Sequence, residues 1–198
     1  IEKLSSGSRI NFARDDAAGQ AVATRLSAES KSLSIASRNA ADAQSMVDTA
    51  EGALQESHTV LLRMRELAVQ SSNGTLQSAD RSAIDAEFQQ LEAEVNRIAN
   101  NTKWAGTALL SGAAVTFQVG TGNTSNDRIT VTLPTASGTN LGISTLAANT
   151  VTTAQAAITG IDSAIAKVSE MRGKLGAHSN RLNNTISNLD QINVNLSA

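Results

Sequence analysis

Apolar residues return every seven positions along three stretches of this chain: Leu26, Leu33, Ala40, Val47, Leu54, Leu61 and Ala68; then Ile84, Leu91 and Ile98; then Ile161, Val168, Leu175, Leu182, Leu189 and Leu196. Between them fall Val22, Ala36, Ala43, Ala50 and Met64, then Phe88 and Val95, then Ile158, Ile165 and Ile186, which is the spacing of a coiled-coil seam. The pattern predicts three long helices: one from about 17 to 71, a second to about Asn100, and a third from near Ala154 to the end. As one helix, the first would extend on the order of 80 Å at 1.5 Å per residue. Asp15-Asp16 ahead of Ala17-Ala18 suits a helix N-terminus, Asn73-Gly74-Thr75 reads as a left-handed stop, and Ser78 or Asp80 can cap the second helix. A connection of roughly six residues between the first two helices predicts that they run antiparallel.

Between 104 and 150 the period changes to two. Val115, Phe117 and Val119, then Ile129, Val131 and Leu133, alternate with polar residues across the turn-forming run from Gly120 to Asp127, which predicts a small β-hairpin closed by Pro134. The polar stretch onward to Thr150 reads as a loop with one short strand at Leu141 to Leu146. The expected fold is therefore mainly α: an elongated, coiled-coil-like bundle of three long helices with a small β-hairpin. Its parts are N-terminal helices at 1–103, a hairpin and loop region at 104–150, and a C-terminal helix at 151–198, in one rod-like domain.

Composition supports length over girth. Aromatic residues make up 2% of the chain and there is a single Pro, so a compact core layered with aromatics is not expected. Alanine fills many seam positions of the first helix, allowing close approach but little burial per contact, so stability must come from length. Net charge is -2 and there is no Lys/Arg run, which argues against a nucleic-acid binder. No stretch of about 18 apolar residues is present to span a membrane. With no Cys there is no disulfide and no redox clue to compartment. The chain starts at Ile1 and its heptads continue to Leu196, which reads as a segment trimmed at both ends.

Catalytic patterns are missing. The two histidines, His58 and His178, lie on different predicted helices without metal-ligand spacing, no G-x-S-x-G occurs, and Gly7, Gly19 and Gly52 form no phosphate loop. We expect no enzyme, no cofactor and no metal. One patch stands out. With Leu61 and Met64 in the seam, Arg63, Glu66, Leu67 and Gln70 fall at i, i+3, i+4 and i+7 on the other side. Leu67 among these polar neighbours reads either as an exposed anchor beside a guanidinium or as a residue packed against the second helix at the bundle margin. Glu87 falls beside the second seam, next to Phe88.

The run LSSGSRINFARDDAAGQAVATRL at 4–26 resembles the N-terminal segment of bacterial flagellin, as do SRNAADAQSMVDTAEGALQE at 37–56, LLRMRELAVQSSNGT at 61–75 and LGAHSNRLNNTISNL at 175–189. The resemblance implies the helical core of an extracellular subunit of the bacterial flagellum that assembles with other flagellin subunits and is exported unfolded through the flagellar secretion machinery. In the family the extreme termini form the inner tube of the filament; they are largely absent here, so this segment is not expected to assemble efficiently alone. The variable outer domains usually inserted between hairpin and last helix are also missing or nearly so. The resemblance further implies recognition by the flagellin-sensing Toll-like receptor, number five, through Arg63, Leu67 and Glu87, with Arg65, Glu66 and Gln70 around them. Leu62 stands where the family more usually has Gln, and Met64 where it has Val. The hook–filament junction protein shares the LSSG and Asp-Asp opening, but there Pro commonly follows the acidic pair, and here Ala17-Ala18 does. A flagellin homologue repurposed on the cell surface is the other alternative.

Overall fold

The computed structural model describes residues 17–197; the acidic pair Asp15-Asp16 and the segment Ile1 to Asn11 lie outside the described residues. Three long helices dominate: α1 (Ala17–Ser71), α2 (Ser78–Asn101) and α4 (Val151–Ser197), with a one-turn helix α3 (Gly138–Leu141) before the last. Four short strands lie between α2 and α3: β1 (Lys103–Trp104), β2 (Thr107–Ala108), β3 (Ala114–Gln118) and β4 (Arg128–Thr132).

The heptads do what their spacing predicts. Leu33, Ala40, Val47, Leu54, Leu61 and Ala68 of α1, Ile84, Phe88, Val95 and Ile98 of α2, and Ile161, Val168, Leu175, Leu182 and Leu189 of α4 are buried. The first seam position, Val22, is exposed among the described residues.

The chain divides into two compact units. The smaller takes residues up to Asp42, the hairpin tip Phe117–Ile129, and the last part of α4 from Leu182. Its core joins Leu33, Ala36 and Leu189, with Leu196 packed against them. Ser30 donates to Asn193 at 2.6 Å and Ser37 to Asp190 at 3.0 Å, so partner numbers fall along α4 as they rise along α1 and the two helices run antiparallel. Asn39 donates to the Gln118 carbonyl at 2.9 Å, tying the tip to α1. At that tip the Asp127 carboxylate accepts from Thr124 N–H at 2.9 Å and Thr124 Oγ1 at 2.6 Å. These bonds, a backbone bond from Gly122 and the Arg128 charge hold the Asp127 carboxyl below its usual pKa. A Cβ at Gly120 would sit 2.9 Å from Asp127 Cα, so the backbone approach here requires glycine.

The larger unit holds residues 43–116 and 130–181. Gln44 donates to Ser179 at 2.8 Å and Arg65 to Asp162 at 2.7 Å, again an antiparallel pairing of α1 with α4. The connection from α1 to α2 departs from the left-handed stop expected at Asn73-Gly74, because Gly74 is not among the residues at positive φ. The open carbonyls at the end of α1 are met from outside: Arg81 of α2 donates to Ser71 O at 3.0 Å and to Asn73 O at 2.9 Å, while Asn73 accepts from Thr75 N–H at 3.2 Å. The N-cap of α2 is Gln77, ahead of both residues expected to cap it; Asp80 contributes from the third helical position by accepting Gln77 N–H at 3.1 Å. Helix α4 starts three residues earlier than expected, since Thr150 and Thr153 each accept the other's N–H, at 3.1 and 3.0 Å.

The predicted hairpin is present as the β3–β4 pair. Leu133 N–H donates to Ala113 O and Val119 N–H to Asp127 O, both at 2.8 Å, a register in which partner numbers fall as β3 advances. Ile129 and Val131 turn inward. The strand expected at Leu141 to Leu146 is not formed: Ser137 caps the turn of α3, and Gly142, at φ 83°, ends it in the left-handed conformation. The segment from Gly138 to Ala148 has no neighbouring strand, and helix side chains meet part of its polar backbone. Asn96 accepts Gly138 N–H at 2.9 Å, Lys167 donates to Asn140 O at 2.8 Å, Gln89 donates to Leu146 O at 3.0 Å and Asp85 accepts Ala148 N–H at 2.6 Å, with buried Ser71 donating to Ala148 O.

Candidate interaction surface

Between residues 57 and 71, α1 buries Ser57, Val60, Leu61, Met64, Leu67, Ala68 and Ser71, an arc wider than the two positions per heptad that one neighbour requires. Two neighbours account for it. On one side Arg63 Nε and Nη2 both donate to Glu87 Oε1 of α2, at 3.0 and 2.8 Å. On the other, Arg65 Nε donates to Asp162 of α4 at 2.7 Å. Each arginine therefore clamps a different helix.

Arg63 also reaches Glu66 Oε2 at 3.1 Å, so one guanidinium bridges two carboxylates on two helices. The rung is open to solvent, with side-chain exposures of 50% for Arg63, 68% for Glu66 and 48% for Glu87. Hydrogen bonds from Glu87 first, then Glu66, raise the Arg63 pKa, and Asp162 raises that of Arg65. Both guanidiniums are thus fixed cations whose positions are set by their carboxylate partners. Gln70 is exposed on the same helix.

Of the two readings open for Leu67, the structure gives the packed one: it is 2% exposed, so it is not an exposed anchor. It stands four residues after Arg63 and four before Ser71, and those two residues bond to Glu87 and Arg81 of α2, so Leu67 lies on the stripe that faces α2. The structure brings Arg63, Glu66 and Glu87 together at the surface, places Arg65 with Asp162, and puts Leu67 underneath. The exposed apolar residues of this stretch are instead Leu62 at 44% and Val69 at 47%. Seven apart, they share a face, and the signal for them in the sequence is an apolar pair one residue out of phase with Leu61 and Ala68.

The described residues include no helix long and apolar enough to cross a membrane and no cluster of His, Asp and Glu able to hold a metal ion. What this region offers is a surface of fixed charge and exposed aliphatic side chains.

Comparison with known proteins gives a consistent result over the chain. The family described as the bacterial flagellin N-terminal helical region matches residues 1–115, and that described as the bacterial flagellin C-terminal helical region matches 158–198. A flagellin of Halalkalibacterium halodurans is 46% identical, covering 100% of this chain and 74% of its own length. Flagellin A of Vibrio anguillarum is 49% identical over 61% of this chain, which spans 32% of that protein. Among solved structures, Bacillus cereus flagellin superposes with a TM-score of 0.69 at 32% identity, covering 77% of this chain and 88% of that one. A putative flagellar hook-associated protein from Vibrio parahaemolyticus superposes with a TM-score of 0.78 over 94% of this chain and 97% of that one; at 16% identity this shows a common fold alone.

Proposed function

The chain belongs to the bacterial flagellin family, structural subunits of the extracellular flagellar filament that assemble with one another, and from that premise we propose that its Arg63–Glu87 surface is also read by a host receptor. The receptor is the flagellin-sensing Toll-like receptor that the sequence resemblance implies. The observation that carries this reading is the half-exposed rung in which Arg63 joins Glu66 on α1 to Glu87 on α2. A guanidinium already oriented by two carboxylates pays less ordering entropy when a partner's hydrogen-bonding groups meet it. Arg65 and Gln70 widen the same surface, and Leu67 contributes by fixing the packing beneath it.

The test separates contact from support. Arg63→Ala and Glu87→Ala leave the buried arc intact, and each is expected to weaken binding to the receptor ectodomain at unchanged helicity, measured by surface plasmon resonance and circular dichroism. Wild-type affinity in both variants would overturn the proposal. Export through the flagellar secretion channel in an unfolded state belongs to the same reading; the absence of Cys from the sequence means that no disulfide can block passage of an extended chain.

A further inference from the structure

Asn73-Gly74, in the connection from α1 to α2, is the one Asn-Gly pair in the chain; every other asparagine precedes a residue that carries a Cβ. Both residues are exposed, and a Cβ built on Gly74 would meet nothing within 4 Å, so its backbone nitrogen is open to water and to the neighbouring side-chain amide. Among the described residues no acceptor takes the Gly74 N–H. The atoms around that nitrogen are held. Arg81 Nη2 donates to the Asn73 carbonyl at 2.9 Å and Leu76 N–H to the same oxygen at 3.4 Å, while the side-chain Oδ1 of Asn73 accepts Thr75 N–H at 3.2 Å.

These contacts bear on a reaction within the pair itself. A backbone amide nitrogen becomes a nucleophile when it loses its proton, and the resulting charge spreads onto the carbonyl oxygen of the same peptide. For the Gly74 nitrogen that oxygen is Asn73 O, which already accepts from the Arg81 guanidinium, a permanent cation. The cation favours the deprotonated amide. Attack on Asn73 Cγ then gathers negative charge on Oδ1, the atom that Thr75 N–H meets; a donor fixed at an oxygen that gains charge stabilises the intermediate as an oxyanion hole does. With no Cβ on Gly74, the ring can close without a steric cost.

We propose that Asn73 is a site of spontaneous deamidation in the folded protein, promoted by Arg81 and Thr75. The Gly74 nitrogen gives its proton to hydroxide and bonds to Asn73 Cγ; the Cγ–Nδ2 bond breaks, ammonia leaves, and a cyclic succinimide remains. Water then adds to one of the two ring carbonyls and opens it, giving aspartate or isoaspartate at position 73. No oxidant or enzyme is required. Either product places a carboxylate at the C-terminal end of α1, where the helix dipole disfavours an anion. Isoaspartate also adds one carbon to the main chain and displaces the carbonyl that Arg81 and Leu76 hold, so the α1–α2 connection loosens as the protein ages.

Incubation of the full protein in mildly alkaline buffer, followed by peptide mapping with mass spectrometry and enzymatic methylation of isoaspartate, reads the conversion position by position. Position 73 is expected to convert severalfold faster than in a free peptide of residues 66–77, which lacks Arg81. Conversion no faster than in the peptide would overturn the proposal, because the Asn-Gly sequence alone would then set the rate. Arg81→Met separates charge from mobility. Loss of the guanidinium loosens the turn, which by itself speeds ring closure, so a severalfold slower conversion in this variant is the effect expected of the missing cation; an unchanged or faster rate would overturn the role given to Arg81. In the purified isoaspartate form, the Leu76 amide is expected to exchange severalfold faster than in the unconverted protein, and equal exchange would overturn the loosening.

Discussion

Leu67 and Leu62 present the same chemistry five residues apart on one helix, and the structure assigns them opposite outcomes when replaced by Asp. Leu67 is 2% exposed and Leu62 44%. Truncating a buried leucine costs about 2–5 kcal/mol, from lost transfer energy and the cavity left behind. An unpartnered polar group in that site adds about 1–3 kcal/mol on mutational scales, so Leu67→Asp is expected to cost about 3–8 kcal/mol. Against a typical total of about 5–15 kcal/mol, this removes a large share of the stability. Leu62→Asp, on the outer face, is expected to stay within about 0.5 kcal/mol of wild type. Urea unfolding followed by far-ultraviolet circular dichroism, at matched protein concentration, reads both. A Leu67→Asp variant within about 1 kcal/mol of wild type would refute its burial against α2. Loss of receptor binding in Leu67→Asp would then report unfolding, which is why the surface is better tested at Arg63 and Glu87.

Other outcomes follow from single features. Gly52, Gly173 and Gly176 lie inside long helices with no atom within 4 Å of an added Cβ, so each Gly→Ala change is expected to stabilise by about 0.8–1 kcal/mol, or roughly 2–4 °C in Tm; Gly160→Ala should gain less, because its Cβ would sit 2.8 Å from Leu146 Cδ1. Replacing Arg81 with Met removes two charged donors from the end of α1 and is expected to cost about 2 kcal/mol, with faster amide exchange at 71–77 in hydrogen-exchange measurements. The Asp127 carboxyl has a depressed pKa in the fold, so its support of the hairpin tip is complete above the unfolded value of about 4 and is lost as pH falls through the lower folded value. Protection of the Thr124 amide should therefore hold from neutral pH to about 5 and fall in more acid solution, whereas Asp127→Asn should show little pH dependence; equal pH profiles would count against the latch.

The three long helices, their antiparallel connection and the β3–β4 hairpin are legible in the sequence because periodic burial is a local property: each seam residue carries its own phase, and a one-residue slip would expose the whole row. The candidate surface residues are legible too, since Arg63, Glu66 and Gln70 follow helical spacing on the side away from Leu61 and Met64. What only the tertiary structure decides is how many neighbours a helix has. Leu67 is out of phase for a two-helix seam yet buried, because α1 packs between α2 and α4 and needs a wider apolar arc than an a/d pattern describes. The ends and connections fall in the same class. Asn73-Gly74 has the chemistry of a left-handed stop, but Arg81, ten residues beyond Ser71, supplies the missing donors and makes that conformation unnecessary. Leu141 to Leu146 has the composition of a strand but no strand beside it, and Lys167 of α4 and Gln89 of α2 donate to the carbonyls at its two ends, Leu141 and Leu146, instead. A hydrophobic period fixes which face of an element is buried; the partners of an irregular backbone are fixed by residues distant in the chain, and no local pattern carries their positions.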